Sequence, residues 1–227
     1  MTECLKEDRI RTADLFECDT DYISPLFECE YPWEMLPKIS DHIQKLLREG
    51  IPGFRLLKEG VLVGENVRIA PTATVDGPAV IGPDTEILPG AFVRWNVITG
   101  PGCTIGNSTE LKNCVLLRRA TVPHYNYVGD SVLGVRAHMG AGAVCSNLKA
   151  DGRNVVIHVI RDYETGLRKI GAILGDGADI GCGCVLNPGT VIGKNTSVYP
   201  LTATRGVYPA ECIVKSVRDV VVREKRD

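Results

Sequence analysis

From Val63 onward an aliphatic residue recurs every six positions, and this period restricts the fold more than any other feature. The series runs Val63, Ile69, Val75, Ile81, Ile87, Val93, Thr99, Ile105, Leu111 and Leu117, nine of the ten aliphatic, with a small or β-branched residue four places after each. It slips near residues 118–132 and resumes at Leu133 and Met139. After a break it returns as Leu174, Ile180, Leu186, Ile192 and Val198. A helix repeats every 3.6 residues and a lone strand every two, so neither accounts for six. Three six-residue sides closing a triangle do. Each side is a short strand with one aliphatic and one small residue inward, and Gly, Pro, Asn or Asp turns the corner. Successive coils stack by parallel pairing about 4.8 Å apart, and each needs its neighbours for a core. The fold class is mainly β, a parallel β-helix of hexapeptide repeats.

Composition fits that core. The 24 glycines and 13 prolines supply corners, and only 6% aromatic residues suits a narrow interior. The β-helix is assigned to residues 60–206, with a hairpin insertion at about 150–172 and a C-terminal tail at 207–227. Residues 1–59 hold two glycines and form a helical N-terminal arm. Within it, Pro37 to Gly50 reads as a helix with Ile39, Ile43, Leu46 and Leu47 on one face and a glycine stop. That arm is expected to cover the open end of the β-helix.

The net charge of −2 separates into 8 basic and 13 acidic side chains over residues 1–59, and 18 and 15 beyond. Such a balance gives no affinity for nucleic acid or a membrane surface. No apolar run has the length of a membrane span, and no segment resembles a signal peptide. The nine cysteines include no CxxC pair, which indicates neither a disulfide framework nor a zinc ribbon. A cytoplasmic protein with reduced thiols is expected.

Chemistry is sought where the repeat is broken. The slip holds Pro123-His124-Tyr125-Asn126-Tyr127-Val128-Gly129-Asp130, where Val128 to Leu133 is a step of five. His124 is a candidate general base, since histidine titrates near neutrality; a surface histidine at an irregular turn fits as well. Arg94 and Lys112 lie one coil apart, so their side chains should stack on adjacent rungs. Two neighbouring cations repel unless an anion lies between them; a solvated charged face is the alternative. Glu110 points to the same side as Lys112. Gly140-Ala141-Gly142 lets a ligand approach the backbone, or is an ordinary turn.

These segments together resemble the acetyltransferase domain of the bifunctional enzymes that acetylate glucosamine 1-phosphate and uridylylate the product. Glu110-Leu111-Lys112-Asn113 is similar to that family's EIKN, and His124 to Asp130 to its H-x-x-Y-x-G-D. Gly140-Ala141-Gly142 followed by Asn147 is similar to its GAG…N, and Arg94 stands at the spacing of its phosphate-binding arginine. The resemblance covers residues 60–206, and Thr165 to Ala172 further resembles archaeal members with a similar insertion.

The resemblance implies a left-handed winding and direct acetyl transfer from acetyl-CoA to the 2-amino group of glucosamine 1-phosphate, with no metal. His124 would be the base, Glu110 the carboxylate that stabilises the imidazolium, and the Ala141 backbone would face the thioester carbonyl. Arg94 and Lys112 would hold the phosphate, Tyr127 and Asn147 the sugar, with His138 and Arg153 near the acceptor. Arg168 and Lys169 would contact coenzyme A. A homotrimer with sites between subunits is implied. His138 and Leu148 stand where bacterial members have asparagine and tyrosine, so the sugar pocket differs, and galactosamine is as open as glucosamine. No segment resembles the glycine-rich loop of the uridylyltransferase half, so pyrophosphorylase activity is not expected.

Two other classes compete. A non-catalytic β-helix that binds a sugar phosphate or nucleotide sugar for regulation would keep the same repeat. A zinc-dependent γ-type carbonic anhydrase needs three converging histidines, two of them five residues apart, and His42, His124, His138 and His158 lack that spacing.

Overall fold

The structure is a computed structural model that describes residues 9–216. Its centre is a parallel β-helix of about nine turns, built on a 14-stranded and an 8-stranded sheet. In the early coils residues pair 18 apart, as in Val63 with Ile81 and Phe92 with Glu110. The interval then drops to 17, as in Val97 with Cys114, Glu110 with Tyr127, and Thr121 with His138. The cause is a lost corner residue. Arg94, Trp95 and Asn96 turn one coil, whereas Lys112 and Asn113 alone turn the next, with Asn113 left-handed at φ 49°.

The inward series therefore steps by five twice, from Leu111 to Leu116 and from Val128 to Leu133, with Val122 between. This corrects the placement of Leu117. It is buried, but outside the coil, against the arm. The slip begins one coil earlier than the sequence reading put it.

The arm also lies elsewhere than expected. It runs along a flank of the β-helix rather than over its end. Seven strand-centre residues point outward there and are buried: Leu62, Val80, Ile98, Val115, Val132, Ile173 and Val191. They form an apolar column that water would otherwise wet, which is the reason the arm takes this route. Trp33, Met35, Leu36, Ile39 and Ile43 of the arm pack on it. The helix Ile39–Glu49 ends as predicted at Gly50, whose φ of 76° and N–H to Leu46 oxygen close the last turn. The first sheet edge is covered instead by the strand Arg55–Lys58, antiparallel to Val61–Val63. Asp176 staples arm to coil: its carboxylate accepts from the backbone N–H of Glu17 at 2.8 Å and of Val135 at 2.7 Å.

The insertion is a hairpin of Val156–His158 and Asp162–Glu164. It does not stand free, because Tyr163 lies edge-on against Tyr31 and Trp33 of the arm. The coil continues past residue 206, where Val207–Tyr208 and Ile213–Val214 add strands to their sheets. The rest of the expected tail, from 217, falls outside the described residues, as do residues 1–8 of the arm.

Candidate active site

The shortened corners create the site. Pairing puts Lys112 beside Gly129, and Arg94 lies on the rung before Lys112. The next corner positions are Asn96, Asn113, Asp130 and Asn147, at intervals of 17. They form a side-chain ladder along the helix axis. Asn96 Nδ2 donates to Asn113 Oδ1 at 3.4 Å, Asn113 Nδ2 to Asp130 Oδ1 at 2.9 Å, and Asn147 Nδ2 to Asp130 Oδ2 at 2.5 Å.

Asp130 is the hub. Lys112 Nζ stands 3.0 Å from both its oxygens, and the two side chains are 15% and 7% exposed. Its left-handed backbone, φ 48°, turns the corner, a conformation that Asp and Asn tolerate better than most residues. Gly129 is needed beside it: a Cβ there would lie 2.5 Å from the Tyr127 hydroxyl and 2.7 Å from Asn147 Nδ2. Tyr127 and Asn147 thus close over Gly129, joined by a 3.2 Å hydrogen bond. Burial pushes the Tyr127 phenol above its usual value, and the carboxylates of Asp130 and Glu110 add to the shift.

Arg94 and Lys112 stack as the spacing predicted, but no bound anion is required to reconcile them. Each has its own carboxylate: Arg94 Nη1 donates to Glu110 Oε1 at 2.7 Å, as Lys112 does to Asp130. The Arg94 guanidinium also lies over the Trp95 ring, 4.2 Å from its centroid.

His124 ends the strand Thr121–His124 at the opposite corner of the same face, exposed. Its backbone N–H is held by Asn126 Oδ1 at 3.1 Å and its carbonyl accepts from Gly142. That bond aligns the exposed Ala141 with His124 on the following rung. Glu110 and Tyr127 lie between the His124 corner and the Lys112 corner. No hydrogen bond joins His124 to Glu110, whose carboxylate is taken by Arg94.

His138 falls on the other sheet, with Nδ1 2.7 Å from Thr121 Oγ1, away from the Lys112 corner. Arg153 is exposed in the insertion, and its backbone N–H is held by Asp151. Arg168 and Lys169 come to the Lys112 corner: with Leu36, Pro37, Asn113 and Asp130 they line a cavity of about 280 Å³. A second cavity, about 510 Å³, lies farther along the same edge, between Ser146, Asn187 and Arg205 of the coils and Lys149, Val156 and His158 of the insertion.

Sequence reasoning gave Asp130 no role of its own, although Asn, Asn, Asp and Asn at intervals of 17 was a readable signal. Among the described residues, no group of three His, Cys, Asp or Glu side chains could hold a metal ion. No described helix is long and apolar enough to cross a membrane.

Residues 75–160 match the GMPPB C-terminal domain family. The chain is 28% identical over 213 residues to the "Bifunctional protein GlmU" of Methanococcus aeolicus, covering 86% of this chain and 48% of that protein. Its β-helix is similar to the C-terminal part of GlmU proteins. The chain is also 33% identical over 151 residues to a "Bifunctional sugar-1-phosphate nucleotidylyltransferase/acetyltransferase" of Sulfurisphaera tokodaii, covering 61% of this chain and 38% of that one. It therefore spans about half the length or less of these relatives. Among solved structures, WeeI from Acinetobacter baumannii is similar with a TM-score of 0.34 and 18% identity, over 79% of this chain and 64% of that one. The GlmU-like segments Glu110–Asn113, His124–Asp130 and Gly140–Asn147 are those that meet along one face of the β-helix.

Proposed function

We propose that this chain is an acetyl-CoA-dependent N-acetyltransferase whose acceptor is an amino-sugar 1-phosphate, glucosamine 1-phosphate. The observation that carries this reading is the convergence on one face of Arg94, Glu110, Lys112, Tyr127, Asp130 and Asn147, a polar site built by two shortened coils. The names of the relatives, which join acetyl transfer to sugar 1-phosphates, support it.

In this mechanism Tyr127 and Asn147 hold the sugar hydroxyls. His124 takes a proton from the 2-amino group, which attacks the thioester carbonyl, and the thiolate of coenzyme A leaves. The carboxylate of Glu110 offsets the imidazolium charge across the face, and the Ala141 backbone faces the developing oxyanion. Burial keeps Tyr127 protonated and a hydrogen-bond donor through the neutral range. The larger cavity farther along the same edge is our choice for the donor, because it lies on the same side of the β-helix as the acceptor corner. The exposed rings of Phe92 and Trp95, beside Arg94, favour a homotrimer with a neighbour packed against the site.

The test is thiol release from acetyl-CoA with glucosamine 1-phosphate. His124→Ala is expected to abolish it, and full activity in that variant would remove His124 as the base. A second reading is favoured by one observation: Glu110 is committed to Arg94, and among the described residues no carboxylate pairs with His124. That arrangement suits a β-helix that binds a sugar phosphate or nucleotide sugar and does not turn it over. Saturable binding without thiol release would select it.

A further inference from the structure

We infer that Asp130 is a positioning residue that sets the hydrogen-bond polarity of the acceptor site: because of it, Asn147 offers a ligand an acceptor and Tyr127 offers it a donor. The inference rests on the amino-sugar phosphate reading for the ligand and adds which kind of group each side chain takes.

The polarity starts from a group that cannot donate. Asp130 is buried and pairs with the Lys112 ammonium, 3.0 Å from both its oxygens. An ionised carboxylate in such a pair only accepts hydrogen bonds. Each oxygen also has a second donor: Oδ1 accepts from Asn113 Nδ2 at 2.9 Å, and Oδ2 from Asn147 Nδ2 at 2.5 Å. An Asn147 amide turned the other way would set its oxygen against a carboxylate oxygen, so the corner selects the orientation with nitrogen inward. The same nitrogen gives its other hydrogen to the Tyr127 hydroxyl at 3.2 Å. Both amide hydrogens are then spent inside the protein.

What remains is available to a ligand. Asn147 keeps only its oxygen, an acceptor. The Tyr127 oxygen already accepts from Asn147, and among the described residues its O–H hydrogen has no acceptor. Burial raises the phenol above its ordinary value, which holds that hydrogen in place at neutral pH. Both side chains are half-buried and reach solvent. One fixed acceptor and one fixed donor thus stand side by side over Gly129. A hydroxyl or an amine satisfies Asn147, whereas Tyr127 requires a lone pair on a hydroxyl, ring or phosphate oxygen.

A carboxamide at position 130 reverses this arrangement. In Asp130→Asn, Lys112 and Asn113 hold the amide oxygen where Oδ1 stood, and the new NH2 falls against Asn147. Asn147 must then turn its oxygen inward, where it accepts from position 130 and from the Tyr127 O–H. The offered acceptor becomes a donor, and the offered donor is withdrawn. The sign of the effect separates this role from charge alone. Removing the carboxylate frees the Lys112 ammonium, so electrostatics by itself would tighten binding of a phosphorylated ligand at the Arg94 and Lys112 corner. Reversed polarity weakens it.

The experiment combines calorimetric titration of glucosamine 1-phosphate, acetyl-transfer kinetics and NMR exchange rates of side-chain amide hydrogens. The Asn147 signal is identified by its loss in Asn147→Ala. Asp130→Asn is expected to raise Kd and KM about tenfold, with a smaller change in kcat, and to speed exchange of the Asn147 amide hydrogens. In an Asn147→Ala background the same substitution should leave Kd unchanged or lower it. Tyr127→Phe leaves the corner carboxylate intact, so it serves even if Asp130→Asn folds poorly; it should release one Asn147 amide hydrogen and hold the other. An Asp130→Asn variant that binds as well as the native chain overturns the inference. So does an equal rise of Kd in both backgrounds, slow exchange that survives Asp130→Asn, or release of both hydrogens in Tyr127→Phe. A native chain that binds the sugar phosphate without acetyl transfer rejects the functional reading alone. If the sugar phosphate does not bind, that reading falls, and the exchange rates still decide how Asp130 orients Asn147.

Discussion

The Lys112 ammonium stands 3.0 Å from each carboxylate oxygen of Asp130, one coil away, in a corner where both side chains are almost withdrawn from water. The coil is 17 residues long at this point, which puts Asp130 beside Asn113 and diagonal to Lys112, so that one carboxylate meets both side chains. The same five-residue steps that break the repeat therefore build the site.

Removing that carboxylate should be costly. Asp130→Ala strands a largely buried cation and deprives two asparagines of their acceptor, a loss of about 3 kcal/mol. It also puts alanine in a left-handed conformation, which adds roughly 1 kcal/mol. Asp130→Asn keeps the turn and one acceptor and should lose less than half as much. Urea unfolding of the two variants checks the order; equal losses would mean the turn, not the charge, sets the stability.

Gly129→Ala should spare stability and damage binding. The atoms nearest to the added methyl are the ends of the Tyr127 and Asn147 side chains, which must shift to admit it. A KM for the acceptor raised about tenfold, equivalent to about 1.4 kcal/mol, is expected with a small change in thermal midpoint. An unchanged KM would show that these two side chains do not touch the acceptor.

The raised phenol of Tyr127 gives a signature at alkaline pH. Its ordinary value is 10.0, and burial lifts it in the folded chain. The unfolded chain then loses this proton first, so the contribution to stability is complete below about 10 and disappears as pH rises through the folded value. The stability of the native chain minus that of Tyr127→Phe should fall between pH 9 and 11, by at most about 1.4 kcal/mol per pH unit. A difference independent of pH would mean the ring is not shielded from water.

How far the sequence could be read depends on what each residue faces. The inward series was legible because a narrow triangular core admits few side chains, and Val63 to Leu111 obeyed it without exception of phase. Leu117 was misplaced because two adjacent leucines, Leu116 and Leu117, are both buried and only pairing register separates them. The stacking of Arg94 on Lys112 followed from coil length. Their neutralisation by Glu110 and Asp130 did not, because it depends on side-chain direction at a shortened corner. Arg168 and Lys169 were named for coenzyme A from the resemblance alone; their approach to the Asp130 corner was hidden because the insertion obeys no repeat, and its course is set by Tyr163 meeting Tyr31 and Trp33. The flank under the arm was there to be read: Leu62, Val80 and Ile98 recur every 18 residues at positions that face outward.

That flank can be tested against the core. Ile81 points into the coil and Ile98 out of it toward the arm, and both are fully buried. Truncation of either to alanine should cost about 3 kcal/mol. The consequences should differ in place. Ile81→Ala weakens the coil as a whole, whereas Ile98→Ala cuts back the apolar column on which the arm packs and should open residues 9–54 to limited proteolysis while the β-helix stays resistant. Because Leu36 and Pro37 of the arm wall the cavity at Asp130, loosening it should also weaken acceptor binding in Ile98→Ala and not in Ile81→Ala. Equal cleavage patterns in the two variants would show that arm and coil unfold as one unit.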